Sequence, residues 1–492
     1  MFIRKIKSRA FSASFICLLA IVLTILIYAP RVGKGFVSDD FNWLANTARD
    51  GKVNLFRPFI ETTGFYRPLV GVSFGIQYLM SGLNPGPYGM FNLLLHLLNI
   101  VLVTTILSRD ESIGRFSPAA VILFAMNAKA DRMAVGWNSS RTMLLSVFFL
   151  LLTFYFYQKL NPRRPHPPGS ERRLFLKSMI GFSFLCSLFC HEASIAAPAF
   201  ILFLNFIAVE MGGRSLNWKT RLDAAFESIS MFAPPLTLYF LIRIHSNAIT
   251  PFNAPAYYQY AGSPFVWVRN LIEYVLRAGT LDISLLVILL ILNLVLGEKI
   301  RAEVNKNIFI KGISWFFFLL SPMLFLSVRS DLYVYFAQIG LHIAFLAIAV
   351  PLWRNLAGKT KFIAPLFFFL ATGWCIHLFF TAGEIERKGV KSGLFVRQVI
   401  QQLANQKTGA TVRVIDRQAT EKLSPANLIA SGFSPLLNLY LPGKKLKGEI
   451  IQINQMKTSA PGDEVRYFIW EKERLSGPFR YEQTRSLLRL PD

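Results

Sequence analysis

The chain has 492 residues, of which 53% are hydrophobic and 14% aromatic, and only 16% are charged, against about 25% in a typical soluble domain. Charge is confined to short clusters between long apolar runs, which excludes a soluble globular protein and points to a helical membrane bundle with one modest soluble domain. The formal net charge of +25 would suggest nucleic acid in a soluble protein, but the basic residues lie in connectors between spans, where the positive-inside bias places them, so no nucleic-acid partner is expected.

In chain order, MFIRKIKSR precedes an apolar stretch over 12–29. It resembles a secretory signal without a small-residue cleavage pattern, and reads as an uncleaved first span with its N-terminus inside. Ten further spans are predicted near 88–107, 116–130, 139–158, 176–190, 193–209, 226–245, 281–297, 308–327, 333–352 and 362–382, making about 11 in all. Several are shorter than the roughly 20 residues of a perpendicular span, so tilt or burial must cover the difference. The inner loops are then those with Arg109 and Arg115; Arg163, Arg164, Arg172 and Arg173; Arg214, Lys219 and Arg221; Lys299, Arg301 and Lys306; and Arg354, Lys359 and Lys361. Each is basic, as the rule for cytoplasmic loops requires, although that rule did not place the spans.

The outer loops differ in character. The first, 31–87, contains an apolar stretch over 69–80 that is too short to span and reads as an interfacial helix. The second long one, 246–280, is rich in aromatic residues and proline. The division expected is a membrane domain over 1–382 and a small extracytoplasmic α/β domain over 383–492, in which VRVID, EIIQI and VRYFIWE read as strands and SPANLIASG and SPLLNLYL as helix. The four cysteines, Cys17, Cys186, Cys190 and Cys375, all fall in apolar runs and read as small core residues, not as a disulfide frame or a metal site.

Ionisable groups near hydrocarbon are costly, and so are functional candidates. Asp39 and Asp40 follow the first span, and Arg67 precedes the interfacial helix. Arg141 begins the fourth span, His191 and Glu192 sit between the fifth and sixth, Arg243 ends the seventh, and Arg329 and Asp331 occupy the turn before the tenth. All map to the outer side. Tyr88, Asn92, His96 and Asn99 recur at spacings of four, four and three, which puts them on one helical face that must look into the bundle. Blander readings compete: the arginines as headgroup anchors, Asn92 and Asn99 as interhelical hydrogen-bond glue, and Asp39-Asp40 as a solvated capping turn.

The stretches FVSDDFNWL and FYRPLVGVSFGIQYLMSGLNPGPYGMFNLLLHLLN resemble the start of the GT-C class of polyprenyl-phosphate-sugar glycosyltransferases, in particular its O-mannosyltransferase-like and aminoarabinose-transferase-like members. That pattern has an Asp-Asp pair, a Tyr-Arg-Pro-Leu segment and a Pro-x-x-Tyr-His-x-x-Asn-x-x-x-His-x-x-Asn run. Tyr66, Arg67, Pro68, Leu69, Pro85, Tyr88, Asn92, His96 and Asn99 match, and Gly89 replaces the first His. AVGWNSSRTMLLSVFFLL resembles the segment with Trp and Arg, through Val135, Trp137 and Arg141. FLCSLFCHEASIAAP resembles the Lys-Glu segment, with His191 in place of Lys and Glu192 kept. DLYVYFAQIGL resembles the Glu-Arg-Tyr-x-Tyr turn, through Tyr333, Tyr335, Gly340 and Leu341, with Asp331 for Glu and Leu332 for Arg. The likeness covers about 36–350.

The resemblance implies transfer of a monosaccharide from a polyprenyl-phosphate donor to a hydroxyl of an extracytoplasmic protein, lipid or polysaccharide acceptor in the cell envelope, in a multi-pass protein of the bacterial inner membrane. It assigns Asp39 as general base, with Asp40 orienting the site or sharing its charge. Such a reaction needs a carboxylate to take the acceptor proton, cations to hold the leaving phosphate, and a groove for the lipid. Arg67, Arg141 and Arg243 are the candidates for the phosphate, by fork geometry and permanent charge, with His191 and Glu192 contacting phosphate or sugar. Tyr66, Tyr88, Asn92, His96, Asp331, Tyr333 and Tyr335 support them. No cofactor and no metal are expected; a divalent cation, needed by some relatives, would sit at Asp39-Asp40. The competing readings are a ligase using a polyprenyl diphosphate, a lipid or glycan flippase, and a scaffold built around the tail. A flippase predicts internal repeats and charge in both halves of the membrane, which the sequence does not show.

Overall fold

The computed structural model describes residues 2–47, 65–110, 112–114, 116–160, 170–211, 218–246, 248, 258–296, 304–429, 432–456 and 465–488. The middle of the first long loop, residues 247 and 249–257 of the second, and Arg115, Arg163, Arg164, Arg214, Lys299 and Arg301 lie outside the described residues.

Helix α1 (Phe2–Tyr28) leads into α2 (Asp39–Thr47). The stretch expected as an interfacial helix forms α3 (Pro68–Ser81). Its proline stands in the first turn, where a missing N–H costs nothing. It buries Val70 and Phe74 and leaves Ile76, Leu79 and Met80 exposed. Helix α4 (Pro85–Arg109) starts at Asn84, whose side chain accepts from Gly86 N.

The run expected as a span over 116–130 is instead a nine-residue helix α5 (Ser117–Ala125), a turn, and the seven-residue α6 (Ala130–Gly136). Asn127 breaks it. The Asn127 Oδ1 atom accepts from the amides of Lys129 and Ala130, both at 2.9 Å, so a side chain substitutes for the helical ladder there.

Six long helices follow the 3-10 turn Asn138–Ser140: α7 (Arg141–Leu160), α8 (Glu171–Leu188), α9 (Ala197–Met211), α10 (Trp218–His245), then α11 (Pro264–Ala278) and α12 (Thr280–Val295), which meet at a 76° bend. They are succeeded by α13 (Lys306–Leu324), α14 (Val334–Asn355) and the 44-residue α15 (Thr360–Leu403). Among the described residues, five helices are long and apolar enough to cross a membrane, or six if the bent pair is one span. The chain is a multi-pass membrane protein, though with fewer helices of full spanning length than the eleven expected.

The centre of the bundle is the α13–α14 pair. A Cβ on Gly312 would lie 2.6 Å from Gly340 O, and one on Gly340 would lie 2.5 Å from Gly312 O. Backbone meets backbone there, as small residues permit between membrane helices.

After α15 the chain forms a four-stranded sheet in the order β2-β1-β3-β4: β1 (Thr411–Asp416), β2 (Lys447–Ile451), β3 (Val465–Glu471) and β4 (Arg474–Phe479). The central β1 is parallel to both β2 and β3, and β4 is antiparallel to β3. Phe395 of α15 anchors the sheet, with its ring 5.2 Å from Trp470 and 5.9 Å from Phe433. Ser38 N donates to Leu428 O at 2.7 Å, tying the sheet domain to the residue before Asp39.

Candidate active site

Asp39 and Asp40 open α2, where the unpaired amides of a helix start favour negative charge. Ser38 before them has φ +50°, and this left-handed turn swings the chain from α1 into α2. The two carboxylates then part company.

Asp40 is fully buried. It accepts from Ser139 N (2.7 Å), Ser139 Oγ (2.6 Å), Asn138 Nδ2 (3.1 Å) and Val37 N (3.0 Å). Burial pushes its pKa up to about 6, against the pull of those donors. Asp39 is half-buried and accepts from Asn42 Nδ2 at 3.3 Å. Burial raises its pKa also, opposed by Asn42 and by the charge of Arg67. Of the two, Asp39 keeps lone pairs for an incoming group.

Arg67 lines a cavity of about 300 Å³ together with His191, Glu192, Tyr239, Arg243 and Tyr333. Residues remote in the chain, from the α3 entry, the turn before α9, the end of α10 and the start of α14, thus meet at one end of the bundle. The Arg67 guanidinium is bidentate on Glu192, Nε to Oε2 at 3.0 Å and Nη2 to Oε1 at 2.6 Å, which fixes the plane of the fork. Its Nη1 has no hydrogen-bond partner among the described residues. Arg243 donates from Nε to Ala248 O at 2.6 Å and from Nη1 to Tyr239 OH at 2.7 Å. The His191 Nδ1 atom accepts from Ala193 N at 3.2 Å. Burial, aided by the Arg67 charge and resisted by Glu192, lowers the His191 pKa to about 4, so the ring is neutral at pH 7.

The other residues singled out from the sequence sit behind this site. Arg141, expected on the phosphate, is not among the residues lining the cavity and is fully buried. Its Nε donates to Asn92 Oδ1 (3.2 Å) and its Nη2 to Tyr88 O (3.2 Å), and its guanidinium lies over the Phe74 ring at 4.3 Å. Asn92 in turn donates to Trp137 O at 2.9 Å and Asn138 O at 3.3 Å. The polar stripe of α4 therefore braces the 3-10 turn that seats Asp40. Deeper in, His96 Nδ1 pairs with Tyr335 OH at 2.7 Å, and Asn99 Nδ2 donates to the same hydroxyl at 3.2 Å. Tyr88 OH donates to Gly82 O at 2.9 Å, and the ring of Tyr66 lies edge-on to Phe189.

Gly89, where the resembled pattern has His, presses on the chain leaving α1. A Cβ there would lie 2.4 Å from Gly33 N, so the substitution goes with a close backbone crossing.

Asp331 belongs to an ion-pair network that the sequence reading missed. It pairs with Arg277 at 2.9 Å and Arg132 at 3.5 Å; Arg132 also pairs with Glu384, and Glu273 with Arg277 and Arg329. The one signal for Arg132 was a charge next to an apolar run expected to span.

No protein-family model and no curated protein sequence matches the chain. Among solved structures it is similar to the oligosaccharyltransferase AglB from Archaeoglobus fulgidus in complex with an inhibitory peptide and a dolichol-phosphate, at TM-score 0.50 and 11% identity over 88% of this chain and 64% of that one. It is also similar to ArnT from Cupriavidus metallidurans bound to undecaprenyl phosphate, at TM-score 0.48 and 14% identity over 90% of this chain and 86% of that one. The chain spans less than two-thirds of the length of the archaeal oligosaccharyltransferases it matches. At these identities the likeness is one of fold, and that fold is GT-C-like.

Proposed function

We propose that the chain is a membrane glycosyltransferase that moves a monosaccharide from a polyprenyl phosphate to an acceptor hydroxyl on the extracytoplasmic side, with Asp39 as general base. The observation that carries this reading is the cavity shared by Arg67 and Arg243, with Asp39 close enough to Arg67 to feel its charge. Two guanidiniums and the Tyr239 and Tyr333 side chains make a seat for a leaving phosphate dianion, and a volume near 300 Å³ is at the lower end for ligand sites, which favours one sugar over a whole glycan. Exposed Phe240 and Tyr260 on the same lining offer apolar surface for the lipid. The solved relatives named above were captured with dolichol-phosphate and undecaprenyl phosphate, ligands of the class the cavity suits.

In the step proposed, the acceptor oxygen attacks the anomeric carbon as its proton passes to Asp39, and the carbon–oxygen bond to phosphate breaks with its electron pair going to the phosphate. The phosphate leaves without prior protonation, held by Arg67 Nη1 and Arg243. Glu192 keeps the Arg67 fork in place, and neutral His191 adds no charge. Arg141 acts at one remove, as a positioning residue through Asn92. A divalent ion shared by both aspartates does not suit this donor set, because Asp40 is already occupied by four donors; no step is derived through a metal.

The test is transfer from a synthetic undecaprenyl-phosphate sugar by the purified protein, with EDTA present. Asp39→Asn is expected to lose about 10²- to 10⁴-fold in kcat while still binding undecaprenyl phosphate. The acid limb of the wild-type pH–rate profile is expected above the ordinary carboxylate value of 3.8, because burial raises the Asp39 pKa. An Asp39→Asn enzyme with undiminished turnover would sink the assignment.

A further inference from the structure

A second cavity, of about 380 Å³, lies where the segment leaving α1 meets α6, α15 and the sheet domain. We infer that it is the acceptor subsite and that it recognises an anionic group, phosphate or carboxylate, on the acceptor; the word acceptor here rests on the glycosyltransferase reading above.

Four cations line it, Lys34, Arg132, Lys388 and Lys422, against two carboxylates, Asp331 and Glu384. The carboxylates are already committed. Asp331 is held by Arg277 and Arg132, and Glu384 by Arg132 and, at 3.4 Å, Lys388. Lys34 and Lys422, both exposed, have no ion pair among the described residues and reach the same cavity, one from the membrane domain and one from the loop after β1. Two unpaired cations on one cavity leave it net positive, with charged donors for an anion.

The sheet domain closes one side of the cavity. The loop that follows β1 carries Lys422 and then Asn427 and Leu428 into this cavity. Val37 and Ser38 form part of the same lining, and Asp39 is the next residue. An acceptor anchored here by its charge would have its hydroxyl next to the proposed base.

The experiment uses the full-length protein in phosphatidylcholine nanodiscs, with undecaprenyl phosphate present to fill the Arg67 cavity. Inorganic phosphate, acetate and glycerol are titrated in turn while the thermal midpoint is followed. Saturable stabilisation by phosphate or acetate but not glycerol is expected, the stronger anion naming the acceptor class. Lys34→Gln combined with Lys422→Gln should weaken it about tenfold or more, and Lys447→Gln, an exposed lysine elsewhere on the sheet, should leave it unchanged. An equal response in the double variant, or an equal loss in Lys447→Gln, overturns the inference. Loss of the response on adding phosphatidylglycerol overturns it too, because a bilayer headgroup would then be the occupant. Undecaprenyl phosphate binding is measured separately on each variant without added anion. Its absence from all of them, wild type included, counts against the donor reading, while the phosphate titration repeated without lipid still decides the anion site.

Discussion

Four hydrogen bonds hold the Asp40 carboxylate between Val37 and the turn at 138–140, and this structural engagement is what separates it from its neighbour. The charge of Asp40 organises that turn, and Asp39, which among the described residues accepts from Asn42 alone, keeps lone pairs free for the role proposed for it. Because folding raises the Asp40 pKa to about 6, the folded protein holds that proton more tightly than the unfolded chain. The resulting stability is full below the unfolded value near 3.8 and is lost as pH rises through 6, an effect of about 3 kcal/mol. The thermal midpoint of wild type should therefore fall between pH 4 and pH 7, and that of Asp40→Asn should lack this component. The asparagine amide would also confront the Val37 and Asn138 donors, a loss of about 1–3 kcal/mol at acid pH. Parallel pH profiles for the two proteins would show that Asp40 does not titrate as argued. The sequence could mark Arg141 and Asn92 as polar groups in an apolar setting. It could not tell whether they face a cavity or each other, because spacing gives a helical face and not the partner of that face. That is why Arg141 reads as a phosphate ligand from the chain and as a brace in the fold.

Helices and strands were legible where pattern and punctuation agreed. The stretch 69–80 behind Pro68 became α3 (Pro68–Ser81), and VRVID and VRYFIWE became β1 and β3. Strand β4, RLSGPF, escaped because a Gly-Pro pair interrupts any alternation. The break inside 116–130 escaped because Asn127 stands among apolar neighbours, and its capping bonds come from amides that any helix would also supply. The contact between α13 and α14 was signalled only by two glycines. Gly340→Ala puts a methyl group into the backbone of Gly312 and Phe316 and should destabilise the bundle by about 1–3 kcal/mol, lowering the thermal midpoint in detergent. Gly373→Ala on α15, with nothing within 4 Å of its Cβ, should be neutral or raise stability by about 0.5–1 kcal/mol. Equal effects at the two positions would mean that α13 and α14 do not pack through bare backbone.

For the whole molecule, the proposed reaction requires the bundle and the sheet domain to stay in register, since the two cavities belong to different pairings of parts. Phe395 is the pin, buried between Phe433 and Trp470. Phe395→Ala should cost about 3–5 kcal/mol at that joint, making the sheet domain an early product of limited proteolysis and lowering transfer while undecaprenyl phosphate binding persists. Unchanged proteolysis would place the joint elsewhere. The boundary expected near residue 382, where the apolar runs end, falls inside α15, which passes through that point unbroken, because helix propensity outlasts hydrophobicity there.

That unbroken helix has a geometric consequence. At 1.5 Å per residue its 44 residues extend about 66 Å, roughly twice the hydrocarbon thickness of a bilayer. About half of it must therefore stand clear of the lipid as a rigid mast that carries the sheet domain. On the proposed acceptor site, such a mast would set altitude: Lys422 would hang at a fixed height over the membrane surface, and an acceptor whose charge and hydroxyl are separated by a different span would be measured and refused.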